Sequence, residues 1–224
     1  MSRRHNLENA MVGIFNKNQP MEQIFDVKVL GMTFNQHLIW RNHINATTKS
    51  CYSILKSLRI FKRSADFKLR WSLAQWLVLS RINYCNALLS DAPMYLLKKL
   101  QKIQNAAARF VCGRQVDEND VVGLKWLPVR ERISLSLAKL THKALHDPSW
   151  PSYLTVRRLT PRGRNRLTVE LSGCLDGSFA KQAGKTFNEL PLNIRNTVKY
   201  ETFSAKCCRY YLDKAVARVL SENN

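Results

Sequence analysis

"LLKKLQKIQNAAARFVCGR", Leu96–Arg114, is the stretch whose reading decides the fold. At about 100° per residue, Leu96, Leu100, Ile103, Ala107 and Phe110 fall in one narrow stripe, with Val111 at its edge. Lys98, Lys102 and Arg109 gather on the opposite side, and Lys99 lies at the flank. The pattern predicts a long amphipathic helix with a packing seam and a cationic back.

Such a seam needs partners, and the preceding sequence supplies them. From Asn42 the period is helical, with Ile44, Thr48, Cys51, Leu55 and Leu58 in one stripe and Lys49, Lys56, Arg59 and Arg63 off it. Ser64 fits an N-cap, with Asp66 in the first turn that follows. The segment Phe67–Leu89, "FKLRWSLAQWLVLSRINYCNALL", is apolar almost all round. That predicts a helix surrounded by other elements, with Trp71, Trp76 and Trp126 as core anchors rather than base-stacking surfaces. Asp91-Ala92-Pro93 ends it. Three helices joined by short connections predict antiparallel neighbours.

On the N-terminal side, "QIFDVKVLGMTF" (23–34) alternates and then slips phase beside Gly31. That predicts a bulge or a bend between two short strands. On the C-terminal side, "DEND" (117–120) reads as a polar loop. A helix follows Pro128, with Ile133, Leu137, Leu140 and Ala144 on one face. "VRRLTPRGRNRLTVELSG" (156–173) reads as a basic loop followed by a strand segment, "SFAKQAGKTFNELP" as a helix stopped at Pro191, and "ETFSAKCCRYYLDKAVARVL" as a final helix. The expected class is mainly α with a small β portion.

The 224 residues carry a formal charge of +20, far beyond what solubility requires, and this points to a polyanionic partner. The surplus is uneven: residues 51–114 hold 12 basic and 2 acidic groups, residues 115–150 hold 5 of each, and residues 151–224 hold 13 and 6. Two positive blocks therefore flank a neutral one. The candidate phosphate contacts are Lys98, Lys102, Arg109 and Arg114, with Arg157, Arg158, Arg162, Arg164 and Arg166 of the basic loop. No run of about 18 apolar residues could span a bilayer, and no apolar segment follows "MSRRHN" as a signal peptide needs. The expected location is intracellular, nuclear or cytoplasmic, without a membrane partner. The six cysteines form no C-x-x-C pair and read as buried reduced thiols.

Motifs for chemistry are missing. His142 and His146 share a helix face, but Lys143 stands where a zinc hydrolase of the H-E-x-x-H type needs Glu, and they read as ordinary helix histidines. Cys207 and Cys208 are adjacent and point different ways on a helix. No phosphate-binding glycine loop, no nucleophile elbow and no pair of adjacent aspartates occurs. Two-metal nucleotidyl transfer needs clustered carboxylates, so no catalysis, metal, cofactor or small-molecule substrate is expected.

Five blocks in order, "VKVLGMTFNQHLIWRNHI" (27–44), "SRINYCNALL" (80–89), "LLKKLQKIQNAAARFV" (96–111), "LKWLPVRERI" (124–133) and "FNELPLNIR" (187–195) followed by "TF", resemble the tail of non-LTR (LINE-type) retrotransposon reverse transcriptases, notably the Jockey and chicken-repeat groups. "SRRHNL" near the start is similar to that family's last palm hairpin. The chain departs from the pattern at Phe187, where Trp is usual, and at Asn83, where Asp is common. The resemblance implies palm strands over 1–41, a thumb-like helical bundle over 42–115 and a C-terminal region over 116–224. It implies contact with RNA or an RNA–DNA hybrid without sequence preference. The family's fingers and catalytic aspartates lie upstream of these blocks, so the expectation is a fragment that does not polymerise alone. A decayed remnant, or an interaction scaffold that docks on palm and fingers domains, remains open at this point.

Overall fold

The computed structural model describes residues 15–16, 19–20, 26–35, 37, 39–116, 118–151, 158–159, 168–169 and 178–222. The described residues are mainly helical with a small β portion, as the periodicity predicts. The chain divides into two compact units, Met1–Ile39 and Trp40–Asn224. The helices on both sides of residue 115 belong to the second unit.

In the first unit, β1 (Phe15–Asn16) pairs antiparallel with β2 (Gln19–Pro20). A second hairpin joins β3 (Asp26–Val29) to β4 (Met32–Asn35), with Val29 opposite Met32. Leu30 and Gly31 both have positive φ, 47° and 82°, the backbone that a two-residue hairpin turn requires. The phase slip in the sequence is this turn: the chain reverses there, so the alternation restarts on a new strand. "SRRHNL" lies outside the described residues.

In the second unit, α1 (Arg41–Leu58) runs into a 3-10 turn, Arg59–Lys62. The N-cap of α2 (Phe67–Leu73) is Asp66, not Ser64: its carboxylate accepts the Leu69 N–H at 2.8 Å. The middle segment then passes through a π-helical stretch, Ala74–Leu79, into α3 (Ser80–Asn83). Cys85 adopts a left-handed φ of 49°, and a 3-10 stretch, Asn86–Asp91, leads to Pro93. Helix α4 (Met94–Cys112) follows and ends on Gly113, whose φ of 77° suits a residue without Cβ.

These three segments form an up-down-up bundle. The Cys51 thiol faces the Val78 carbonyl at 3.9 Å. His43 and Ile44 line one small cavity with Ile82 and Leu100, while Arg70 approaches Gly113 at the other end. The middle segment is therefore antiparallel to α1 and to α4, and those two run parallel. Ile44, Cys51, Leu55, Val78, Leu79, Ile82, Leu96, Leu100, Ile103 and Ala107 are buried. One expectation is overturned: the middle helix is not enclosed. Trp76 is 70% exposed, and Phe67, Leu69 and Leu77 are exposed too. Two neighbours cover only one side of a helix, so an apolar pattern running all round leaves an outer face uncovered. Trp126 is buried as expected, and Trp71 is half-buried.

Beyond Gly113, α5 (Glu118–Gly123) begins within the segment read as a polar loop. Helix α6 (Val129–His146) starts after Pro128. Here α4 supplies the cap: Gln101 Oε1 accepts the Val129 N–H at 2.9 Å, and Gln104 Nε2 donates to the Leu127 carbonyl at 2.8 Å. The short ladder β5 (Arg158–Leu159) with β6 (Thr168–Val169) follows, then α7 (Phe179–Asn188), α8 (Leu192–Arg195) and α9 (Tyr200–Glu222). Phe187, Phe203, Leu190, Ile194, Cys207 and Tyr211 form a second core with Leu135 and Ala138 of α6. Asn188 acts as a strand would: its side chain accepts the Val169 N–H and donates to the Val169 carbonyl, each at 2.9 Å.

Candidate nucleic-acid interface

Neither α1 nor α4 contains an acidic residue. Their parallel run sets their cations side by side. Lys99 Nζ donates to Asn45 Oδ1 at 2.8 Å, and Arg41 Nη2 donates to Tyr95 Oη at 3.2 Å. Further along, a groove of about 440 Å³ lies between the two helices. Its floor is apolar, from Leu55, Ala106 and Phe110. Its rim carries Lys56, Arg59 and Lys62 from one side and Arg109 from the other, with Tyr52 beside them. Tyr52 is 44% exposed and offers a flat ring at the groove wall.

Lys98, Lys102 and Arg109 are all exposed. They lie within about 40° around the helix and span about 16 Å of its axis. The stripe borders the groove, and Arg109 belongs to both. Helix α4 is covered on its seam, toward α1 and toward α6, so this cationic strip is the part left to solvent. Buried Leu97, Gln104 and Ala108, which lie off the seam, show the third covered side.

The other sequence candidates differ. Arg114 is exposed, but its guanidinium holds Asp120 through both carboxylate oxygens, Nη1 to Oδ2 at 2.9 Å and Nη2 to Oδ1, and Nη1 also reaches the Gln115 carbonyl at 2.8 Å. Asp120 offsets its charge while the side chain stays 64% exposed. Arg158 opens β5, paired through its backbone opposite Val169. Arg157, Arg162, Arg164 and Arg166 lie outside the described residues. Lys56, Arg59 and Lys62 were not singled out as site residues in the sequence. Lys56 and Arg59 show in the sequence only as positions off the α1 seam, Lys62 shows no sign at all, and nothing local reveals which helix lies opposite.

Among the described residues, no group of three or more His, Cys, Asp and Glu is placed to hold a metal ion. The His142 and His146 rings stack at 4.2 Å between centroids. His142 is buried, donates from Nε2 to the Thr197 carbonyl at 2.8 Å and packs on Phe203. Burial holds its pKa below the ordinary value, and the neighbouring His146 acts in the same direction. No helix among the described residues is long and apolar enough to cross a membrane. Comparison with protein-family models, with curated proteins and with solved structures gives no match.

Proposed function

We propose that this chain is the thumb-like and C-terminal part of a non-LTR retrotransposon reverse transcriptase, acting inside the cell to hold an RNA–DNA hybrid through its phosphates. The observation that carries this reading is the acid-free pair α1 and α4, whose groove brings Lys56, Arg59, Lys62 and Arg109 together. Contacts of this kind position a duplex without reading its sequence. Exposed Tyr52 adds a ring that is tolerant of base identity. The five sequence blocks support the same assignment, and two of them, 27–44 and 96–111, include residues of α1 and α4.

Filter binding of an RNA–DNA hybrid at two salt concentrations tests the reading. Affinity should fall steeply as salt rises, because phosphate contacts release counterions. Affinity that does not change with salt rejects it. Primer extension with Mg²⁺ and deoxynucleotides should give no product, since catalysis in this reading belongs to a palm that the described groups do not supply.

A second reading has its own support. Trp76, Leu69 and Leu77 are exposed apolar side chains of the middle segment, and in an interaction scaffold they would dock on palm and fingers domains. Replacing Trp76 and Leu77 with Ser would then abolish reassembly with those domains while leaving hybrid binding intact.

A further inference from the structure

A second pocket, of about 420 Å³, lies where the bundle meets α6 and α9. Arg132 of α6, half-buried, lines it. Its Nε donates to the Leu127 carbonyl at 3.2 Å, and its Nη1 donates to Asn83 Oδ1 at 2.9 Å. Its Nη2 bonds to nothing among the described residues, and no carboxylate pairs with the guanidinium. Lys125 and Lys139 also line the pocket, and no Asp or Glu does. The pocket therefore gathers three cations with no carboxylate among its lining residues to offset them. Burial pushes the Arg132 pKa down to about 10, which leaves it charged at neutral pH.

Two polar atoms behind the walls, Gln75 Oε1 and Trp126 Nε1, lack a partner and are closed to solvent, and both belong to pocket-lining residues. Trp71 presents a fixed indole, its Nε1 donating to the Leu124 carbonyl at 3.5 Å and its ring 6.4 Å from that of Trp126. The volume falls within the range typical of small-ligand pockets.

We infer that this pocket binds one nucleotide unit, its phosphate on Arg132, Lys125 and Lys139 and its base against Trp71. The site is separate from the α1–α4 groove and shares no lining residue with it. A free nucleoside monophosphate and a nucleotide within a strand present this same chemistry.

Calorimetric titration of the full chain with adenosine 5′-monophosphate, adenosine and inorganic phosphate, at matched ionic strength, tests the inference. The monophosphate should bind roughly tenfold or more tightly than adenosine, since the latter lacks the charge-assisted bonds. Asn83→Asp places a carboxylate against Arg132 and should weaken the monophosphate by a similar factor while raising the melting temperature. A Lys56→Glu, Arg59→Glu variant of the groove should bind the monophosphate as the parent does. In that background, a short single strand that displaces the monophosphate identifies a strand as the source. Failure to displace it identifies the free nucleotide.

A readout on the unaltered chain uses Cys208, which lines the pocket and is exposed. The monophosphate should slow its labelling by a bulky maleimide and leave Cys85 labelling unchanged. Equal binding of adenosine, an Asn83→Asp variant that binds normally, or unprotected Cys208 each overturns the inference. A chain that binds hybrid with salt dependence but ignores the monophosphate overturns the pocket and spares the groove. The converse result does the reverse.

Discussion

Lys99 Nζ meets Asn45 Oδ1 at 2.8 Å across a sequence separation of 54. Arg41 and Tyr95 meet across the same separation. A constant offset is the mark of two parallel helices in register, and it sets Ala106, Arg109 and Phe110 against Tyr52, Leu55 and Lys56. The cationic groove follows from that register.

Reversing charge at Lys56, Arg59 and Arg109 together should weaken hybrid binding without loss of helix by circular dichroism. If each makes one phosphate contact, the log–log salt slope should become shallower by roughly 2–3, at about 0.9 per contact on B-form DNA. Arg114→Gln should change binding much less, because Asp120 already holds that guanidinium. A larger loss at Arg114 than in the triple variant would show the interface to lie elsewhere.

Asn188 brackets the backbone of Val169 with two hydrogen bonds. Asn188→Ala should cost about 1–3 kcal/mol, since it leaves a half-buried N–H and carbonyl without partners. Phe203→Ala should cost about 3–5 kcal/mol, from lost transfer energy and the cavity left beside Phe187 and His142. Urea unfolding of each variant measures both, and a Phe203 cost below that of Asn188 would contradict the second core.

Stability should fall as the solution is acidified through the histidine range. Burial holds the pKa of His43 and of His142 below the ordinary 6.5. Between the folded-state value and 6.5 the unfolded chain binds more protons, so stability rises with pH there. The contribution is complete above about 6.5 and is lost as pH drops below it. Melting temperature followed from pH 8 toward pH 5 should stay level to about 6.5 and decline below it, and His142→Gln should flatten the decline. An unchanged profile in that variant would assign the decline to other groups.

Thiol reactivity should divide by burial. Burial pushes Cys51 up to about 11 and Cys207 up to about 12. Both should resist labelling in the native chain at pH 8 and react after unfolding, whereas exposed Cys85 and Cys208 react at once. Peptide mass spectrometry after timed labelling reads each site. The sequence alone suggested buried thiols throughout. Two adjacent residues on α9 show why that is too coarse: Cys207 turns into the second core and Cys208 turns out to solvent.

Local patterns carried much of the fold. The spacing of Leu96, Leu100, Ile103 and Ala107 set the seam of α4, and the phase slip beside Gly31 marked a bulge or bend between two short strands that the structure shows to be a hairpin turn. The positive surplus and the exposure of Lys98, Lys102 and Arg109 were legible in the same way, because side-chain direction within one helix depends only on residues a few places apart. Local order could not say that the middle segment would show Trp76 to water, that Asp120 would take Arg114, or that Arg132 would come to rest on Asn83 without a carboxylate. Those outcomes depend on which faces meet after loops close between residues tens of positions apart. Periodicity fixes the face that a helix buries, and only tertiary packing decides what lies on the other side of it.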